Sequence, residues 1–269
     1  MRTSSTRRAA VTGALAVAAA AMMPDTAQSQ AEKPLRIGFS MARTGPLANA
    51  TVSQANTYEL WREQINARGG MNVGGKKRKV EFVSYDDQSK PDQAVRIYEK
   101  LITDDKVDLL IAPWGTPFHI AVAPVLEKYR FPMVGNTAAS VNLRKVNPGY
   151  IWFPTSAIPD RIGAELAALL VENKVGSVAI IANVLPFTKE IRNFVEPEVR
   201  KAGIEVKFLA EYPPDVKDMT SVLTQIKQAG VDAVLALSYP GDSVLYARQA
   251  KELGLANPIQ FIAVGPSEP

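Results

Sequence analysis

Short apolar runs alternate along the chain with longer segments of helical periodicity. The runs are rich in β-branched residues and bounded by turn residues, which is typical of buried strands. They are Leu35 to Met41, Val80 to Tyr85, Val107 to Ala112, Met133 to Gly135, Val178 to Ala182, Ile204 to Leu209, Ala233 to Leu237 and Ile259 to Ala263. Helices are predicted at Ser53 to Ala67, Pro91 to Asp104, Phe118 to Tyr129, Asp160 to Asn173, Thr188 to Lys201, Thr220 to Gln228 and Ser243 to Leu253. This order predicts an α/β fold whose parallel sheets are covered by helices on both faces.

The alternation pauses once, between Thr137 and Pro159. The pause contains a turn signal at Pro148-Gly149, then a short predicted strand from Tyr150 to Pro154, and Pro159 suits the first position of a helix. We interpret it as the hinge between two doubly wound lobes, residues 32–155 and 156–269. Two lobes of this size meet at a cleft, which is a default location for a ligand site.

The N-terminus has the pattern of a secretory signal peptide. Three arginines precede the uncharged run Ala9 to Met23, and small residues follow at Ser29 and Ala31. The run is shorter than the roughly 20 residues of a membrane-spanning helix, so an anchor is the less favoured alternative. We predict cleavage after Ala31 and a periplasmic mature protein. Arg7-Arg8 leaves export by the twin-arginine route open.

Charge and cysteine content exclude several classes of function. Residues 1–31 contain three arginines and one aspartate, so their removal lowers the formal net charge from +4 to +2 and weakens any nucleic-acid interpretation. The basic run Lys76 to Lys79 lies between Gly74-Gly75 and an apolar strand, where a solvated hairpin or loop is expected. The chain has no cysteine, so it forms neither a disulfide nor a thiolate metal site.

The sequence contains little that points to catalysis. It has one histidine and no nucleophile elbow, Walker loop or zinc-binding His-Glu-x-x-His pair. His119 is predicted to be a capping or surface residue rather than a general base. The pairs Asp86-Asp87 and Asp104-Asp105 are predicted to serve as caps and turns rather than as metal ligands, because each lacks further ligands at metal spacing. We therefore predict no catalytic residue, no metal and no cofactor.

Two loops that follow neighbouring predicted strands have the chemistry of a small-molecule site. In Pro113 to Pro117, Thr116 is predicted as a helix N-cap, and Gly115 allows a ligand to approach the backbone. The following helix start offers N–H groups and a positive dipole end to a carboxylate. Asn136 to Ser140 is a run of small, mostly polar residues. Each loop alone is also compatible with a plain capped turn, but together they favour ligand binding.

These residues, with four further segments, make the chain resemble a known family: the periplasmic branched-chain amino-acid-binding proteins and their relatives that deliver amino acids, amides and aromatic acids to ABC importers. The further segments are Thr44-Gly45-Pro46-Leu47, Ile65 to Gly70, Tyr85-Asp86-Asp87 with Pro91 and Ala94, and Ala123-Pro124 with Glu127-Lys128-Tyr129. The resemblance implies a type I periplasmic binding fold and a non-enzymatic solute receptor. It also implies an ABC importer permease as the partner of the ligand-loaded protein.

The resemblance also implies a set of ligand-binding residues. The family's carboxylate loop falls on Trp114-Gly115-Thr116, its ammonium and carboxylate loop on Thr137 to Ser140 beside Asn136, and its second-lobe aromatics on Phe187 and Tyr239. The acidic residue that pairs with a ligand ammonium falls nearest Glu268. The family's hydroxyl residue in the second loop aligns closest to Ala139, which leaves open whether Thr137 or Ser140 takes that role.

Departures from the family pattern affect what is expected. Ser89 and Gly115 stand near positions of a family disulfide, Phe187 replaces a tyrosine, and strands that return to the first lobe are expected to be missing after Pro269. The rings of Trp114, Phe187 and Tyr239 favour an aromatic or larger apolar acid over valine, while leucine-like ligands stay possible. A sensor domain of the same fold and an α/β enzyme acting on small acids are the alternatives, and an enzyme, unlike a receptor, changes its ligand.

Overall fold

The described strands and helices follow the predicted order. A computed structural model describes residues 32–144, 148–152, 158–255 and 259–263. The predicted signal peptide and Glu268 lie outside these ranges. The strands are β1 (Leu35–Met41), β2 (Met71–Val73), β3 (Lys76–Arg78), β4 (Val80–Asp86), β5 (Leu109–Ile111), β6 (Met133–Val134), β7 (Ile151–Trp152), β8 (Ser177–Asn183), β9 (Glu205–Tyr212), β10 (Ala233–Leu237) and β11 (Ile259–Ile262). The helices are α1 (Ala48–Ala67), α2 (Pro91–Thr103), α3 (Thr116–Tyr129), α4 (Pro159–Glu172), α5 (Pro186–Lys201), α6 (Thr220–Ala229) and α7 (Pro240–Glu252), with short 3₁₀ turns at Val141–Arg144 and Pro148–Tyr150.

The first lobe is built on a parallel sheet with the strand order β4-β1-β5-β6-β7. Helices α2 and α3 cover one face, where Tyr98, Leu101 and Phe118 pack against Leu110. Helix α1 covers the other face, where the rings of Tyr58 and Trp61 pack against the aromatic residues of β1 and β4. Because both faces are covered, the ends of the strands are the accessible edges of this sheet.

The second lobe is built on a parallel sheet with the strand order β11-β10-β8-β9. Helices α4 and α5 cover one face and α6 and α7 the other. Strands β8 and β10 are buried along their whole length, which explains their nearly continuous apolar sequence. Both sheets belong to one compact unit, residues 34–269.

Helices α4 and α5 approach each other closely at a glycine. A Cβ atom added to Gly163 would lie 2.7 Å from Cβ of Phe194 and 2.8 Å from the backbone nitrogen of Val195. Real Cβ atoms do not approach neighbours this closely, so the α4–α5 spacing depends on the missing side chain. This contact fixes α5, which carries two residues of the site described below.

Several element boundaries differ from the sequence prediction. Helix α1 begins at Ala48, five residues earlier than predicted, because the Thr51 hydroxyl donates to the Ala42 carbonyl oxygen at 2.7 Å and ties the first turn to the end of β1. Strand β5 is shorter than the apolar run that contains it. Of the two structures predicted for the basic run, hairpin or loop, the hairpin is observed, since Val73 pairs with Lys76 across an antiparallel turn.

The adjacent aspartates at the end of β4 hold a turn, as predicted. Oδ1 of Asp86 accepts N–H bonds from Arg43 (2.9 Å) and Gln88 (2.8 Å). Oδ2 of Asp87, which is buried, accepts the Ser40 hydroxyl at 2.8 Å. Burial is the largest influence on Asp87 and raises its pKa to about 6. The two carboxylates therefore fix the strand-to-helix connection that precedes α2.

Candidate functional site

The two predicted ligand loops lie at the carboxyl ends of neighbouring strands. Loop A, residues 113–117, follows β5, and loop B, residues 136–140, follows β6. Strands β5 and β6 are hydrogen-bonded in parallel, so the loops leave the sheet side by side. In open α/β sheets this edge is where ligands bind.

Side-chain hydroxyls join loop A to loop B. The Gly115 N–H donates to Oγ1 of Thr137 at 3.1 Å, and Thr137 is held at a positive φ of 44°. Oγ1 of Thr116 accepts the Ala139 N–H at 3.1 Å and donates to the Ala139 carbonyl oxygen at 3.3 Å. The structure thus brings together Gly115, Thr116, Thr137 and Ala139 as predicted, and it shows that the threonine hydroxyls brace the loops.

His119 provides a second connection between the loops, and its prediction as a capping or surface residue was wrong. The side chain is fully buried, because α3 turns it towards the sheet together with Val122 and Ala123. Nδ1 donates to the Gly115 carbonyl oxygen at 2.8 Å, and Nε2 accepts the Asn136 N–H at 3.3 Å, which assigns the neutral Nδ1–H tautomer. Burial lowers its pKa to about 4. His119 therefore positions both loops as a neutral imidazole.

The prediction of Thr116 as the N-cap of α3 was also wrong. Thr116 is the first helical residue, and Gly115 is the N-cap, with φ of 90°. Glycine adopts this φ readily, which lets the chain turn sharply into the helix. No side chain caps the first turn of α3. The N–H groups of Thr116 and Phe118 can therefore be offered to an anion, whereas Pro117 has no N–H.

Three aromatic rings from both lobes meet beside loop A. The ring centroid of Trp114 lies 5.7 Å from that of Tyr239, and Phe187 lies 6.1 Å from Tyr239 in an edge-to-face arrangement. Trp114 belongs to loop A, Phe187 to the first turn of α5, and Tyr239 immediately precedes α7. Trp114 and Phe187 are partly exposed, whereas Tyr239 is 4% exposed. The predicted meeting of these three side chains is therefore observed.

The Tyr239 hydroxyl is buried, and although the Phe187 backbone N–H approaches its oxygen, its proton has no acceptor in hydrogen-bonding geometry among the described residues. Burial raises its pKa, so the hydroxyl stays protonated. An unpaired buried hydroxyl costs about 1–3 kcal/mol. A ligand polar atom that accepted its proton would remove this cost, so Tyr239 is suited to contacting a ligand.

Ser140 has a different partner from the one expected. Its hydroxyl donates at 2.6 Å to Oε1 of Glu190, a buried residue of α5 in the second lobe. The carboxylate also accepts the Val141 N–H at 3.1 Å and the Asn142 side-chain amide. Glu190 thus ties the end of loop B to the second lobe. The sequence analysis did not single out Glu190. Its position three residues after Phe187 places it on the same face of the predicted helix, which is the signal that could have identified it.

A second missed residue is Asp242, in the first turn of α7. Oδ1 accepts the Tyr239 N–H at 3.0 Å, and Oδ2 accepts the Tyr212 hydroxyl at 2.7 Å and the Asn183 amide at 3.1 Å. Burial is the largest influence on its pKa and raises it. The carboxylate fixes the backbone that presents Tyr239. The sequence signal for Asp242 is its spacing: an acidic residue three positions after the N-cap residue, here Tyr239, is typical of a capping box.

Neither a metal site nor a membrane-spanning element emerges from the described ranges. Within them, no group of three or more histidine, cysteine, aspartate or glutamate side chains is arranged to hold a metal ion. None of the described helices combines the length and apolar character needed to cross a bilayer.

Comparison with known proteins identifies the family. A family model described as periplasmic binding protein matches residues 34–268. The chain belongs to the periplasmic binding protein family. The expected resemblance is thereby confirmed.

Curated relatives of this periplasmic binding protein carry amino-acid-binding names. One from Brucella melitensis, Leu/Ile/Val-binding protein homolog 7, is 26% identical over 248 residues, covering 89% of this chain and 60% of the relative. The leucine-, isoleucine-, valine-, threonine- and alanine-binding protein of Pseudomonas aeruginosa is 26% identical over 240 residues, covering 88% of this chain and 62% of the relative. This chain thus spans about 60% of the length of these relatives.

Solved structures confirm the fold class of this periplasmic binding protein. An ABC transporter solute-binding protein from Rhodopseudomonas palustris in complex with 3,4-dihydroxybenzoic acid has a TM-score of 0.75, 23% identity and coverage of 85% of this chain and 61% of its own. A branched-chain amino-acid transporter substrate-binding protein from Streptococcus pneumoniae in complex with isoleucine has a TM-score of 0.76, 22% identity and coverage of 84% and 63%. The type I periplasmic binding fold matches the expectation from the sequence.

Proposed function

We propose that the protein is an extracytoplasmic receptor that binds an amino acid or aromatic carboxylic acid between its lobes and delivers it to the permease of an ABC importer. The observation that carries the proposal is the meeting of Trp114, Phe187 and Tyr239 beside the uncapped start of α3. The helix start suits a carboxylate, the rings suit an apolar or aromatic body, and the buried Tyr239 hydroxyl suits a polar atom.

The braced loops support binding without chemistry. Their hydroxyls are used within the protein, and His119 is neutral and enclosed, which argues against His119 as a general base. Contacts from both lobes favour a closed state only to the extent that the ligand binds it better than the open state. The proposed cycle is thus capture, closure and release of an unchanged molecule.

Ligand binding is tested by thermal unfolding of the purified protein with leucine, isoleucine, phenylalanine, benzoate and 3,4-dihydroxybenzoate. A bound ligand stabilises the protein by about 2.7 kcal/mol at one hundred times its dissociation constant. Trp114→Phe should weaken binding, whereas the matched control Trp61→Phe should not, because Trp61 stacks on Phe82 away from the loops. Recovery of chemically unchanged ligand after incubation distinguishes a receptor from an enzyme. Equal effects of the two tryptophan variants would contradict the proposed site.

Export is the second part of the proposal and rests on the sequence of residues 1–31. Mass spectrometry of periplasmic extract should find a mature N-terminus near Glu32. Intact protein retained in the cytoplasm would contradict the proposed location.

The proposed lobes, residues 32–155 and 156–269, are compatible with the division of the strands between two sheets.

A further inference from the structure

A second polar space lies between the lobes, next to Tyr239. It is a cavity of about 240 Å³, walled on one side by the start of α1, including Asn49, and on the other by Tyr239, Lys217 and Arg248. A volume of this size corresponds to roughly eight water molecules at about 30 Å³ each. It is large enough for a carboxylate with a short stem. Trp114 and Phe187 lie outside this wall, so Tyr239 is the side chain shared by the ring cluster and the cavity.

The charges around this cavity are unbalanced. Lys217, in the segment between β9 and α6, and Arg248, on α7, both contribute to its wall. In the part of the chain that the structure describes, neither cation lies in an ion pair with a carboxylate. Asp242 is the acidic residue of the wall, and its oxygens are occupied by Tyr239, Tyr212 and Asn183. The cavity wall therefore carries two solvent-exposed cations that have no carboxylate partner within the described chain.

We propose that this cavity is a second anion subsite and that the protein prefers small dicarboxylic acids, whose second carboxylate lies between Lys217 and Arg248. The inference rests on the proposed function, because the first carboxylate is taken to bind at the start of α3. Asn49, whose side chain is exposed at the cavity wall, supplies an amide that can donate to the same anion. A monocarboxylic acid leaves both cations unpaired, so the subsite discriminates between the two classes of acid.

The test compares acids that differ by one carboxylate: benzoate with isophthalate and terephthalate, and glutamine with its isostere glutamate. Isothermal titration at low ionic strength, in a buffer without phosphate or sulfate, should give at least one dicarboxylate about tenfold tighter binding than its partner, equivalent to about 1.4 kcal/mol. The advantage should fall as salt rises, because both cations are exposed and their attraction is screened.

Variants separate the subsite from the rest of the protein. Lys217→Gln with Arg248→Gln should abolish the dicarboxylate advantage while leaving monocarboxylate affinity and the melting temperature of the free protein unchanged. Arg248→Lys, which keeps the positive charge, should retain part of the dicarboxylate advantage. Lys251→Gln is the matched control, since it removes one charge from the same helix at an exposed position outside the cavity wall.

The outcomes are distinct. An advantage that persists in the double variant, or dicarboxylates that bind no tighter than monocarboxylates, would overturn the subsite and leave the receptor function intact. Failure of every acid to bind would refute the proposed function as well.

Discussion

Replacing Glu190 by alanine should destabilise the protein, because this residue of α5 in the second lobe accepts hydrogen bonds from residues of the first lobe. The carboxylate is 8% exposed and accepts three donors, of which Ser140 Oγ is 2.6 Å away and the Val141 N–H is 3.1 Å away. Hydrogen bonds to a charged group contribute about 1.5–3 kcal/mol each, and the buried donors would lose their acceptor. Because water can enter the space left by the side chain, we expect a total loss of about 3 kcal/mol rather than the full sum.

The measurement is urea and thermal unfolding of the ligand-free protein. A loss of this size should lower the melting temperature by about 6–12 °C, given about 2–4 °C per kcal/mol for a domain of this length. Glu198→Ala is the control, because Glu198 lies on the same helix with its side chain 47% exposed, and it should change stability by less than about 0.5 kcal/mol. Glu190→Gln keeps one acceptor oxygen and should lose less than Glu190→Ala.

A double-mutant cycle decides whether the loss belongs to the contact between the lobes. Ser140→Ala and Glu190→Ala should be coupled by about 1–3 kcal/mol, since the two side chains are hydrogen-bonded. Additive effects, or a Glu190→Ala variant as stable as Glu198→Ala, would refute the assignment of Glu190 as the connection between loop B and α5.

Two further predictions concern the frame of the site. His119 has a pKa of about 4 in the folded protein against 6.5 when unfolded, so the unfolded chain binds the extra proton first and stability falls as pH decreases from 6.5 to 4, by about 3 kcal/mol at 1.36 kcal/mol per pKa unit. Unfolding of wild type and His119→Asn across this window should show the slope difference, and parallel pH profiles would contradict the assignment. Gly163→Ala should cost about 1–3 kcal/mol by forcing α4 from α5. Gly241→Ala, at a helical glycine with open space around it, is the control, and equal unfolding midpoints for the two variants would contradict the close contact.

The alternation of strands and helices and the closeness of loops A and B were predictable from the sequence for a simple physical reason. Parallel strands place their following loops at one edge of the sheet, so the order β5, α3, β6 brings loop A to loop B without knowledge of any side-chain contact. The ring cluster was expected from the family resemblance rather than from periodicity.

The parts that sequence reasoning missed are polar contacts between distant positions. Glu190 meets Ser140 fifty positions away, and nothing in the local pattern of either segment specifies that pairing. His119 carried a local signal that was not used, since it shares the buried face of α3 with Val122, Ala123 and Leu126. A histidine on an apolar helical stripe indicates an enclosed imidazole, and its partners then have to come from the adjoining loop.

The bracing of loops A and B divides the site into a fixed template and an adjustable wall. Thr116, Thr137 and His119 join loops A and B through contacts inside the first lobe, so we expect this part of the site to keep its geometry whichever ligand binds. Phe187 and Tyr239 come from the other sheet, on separate helix starts. Ligand preference can then change during evolution by single substitutions in the second lobe, while the first-lobe loops stay the same. For the engineering of a biosensor, those positions are the ones to randomise, while the residues that join the two loops are kept constant.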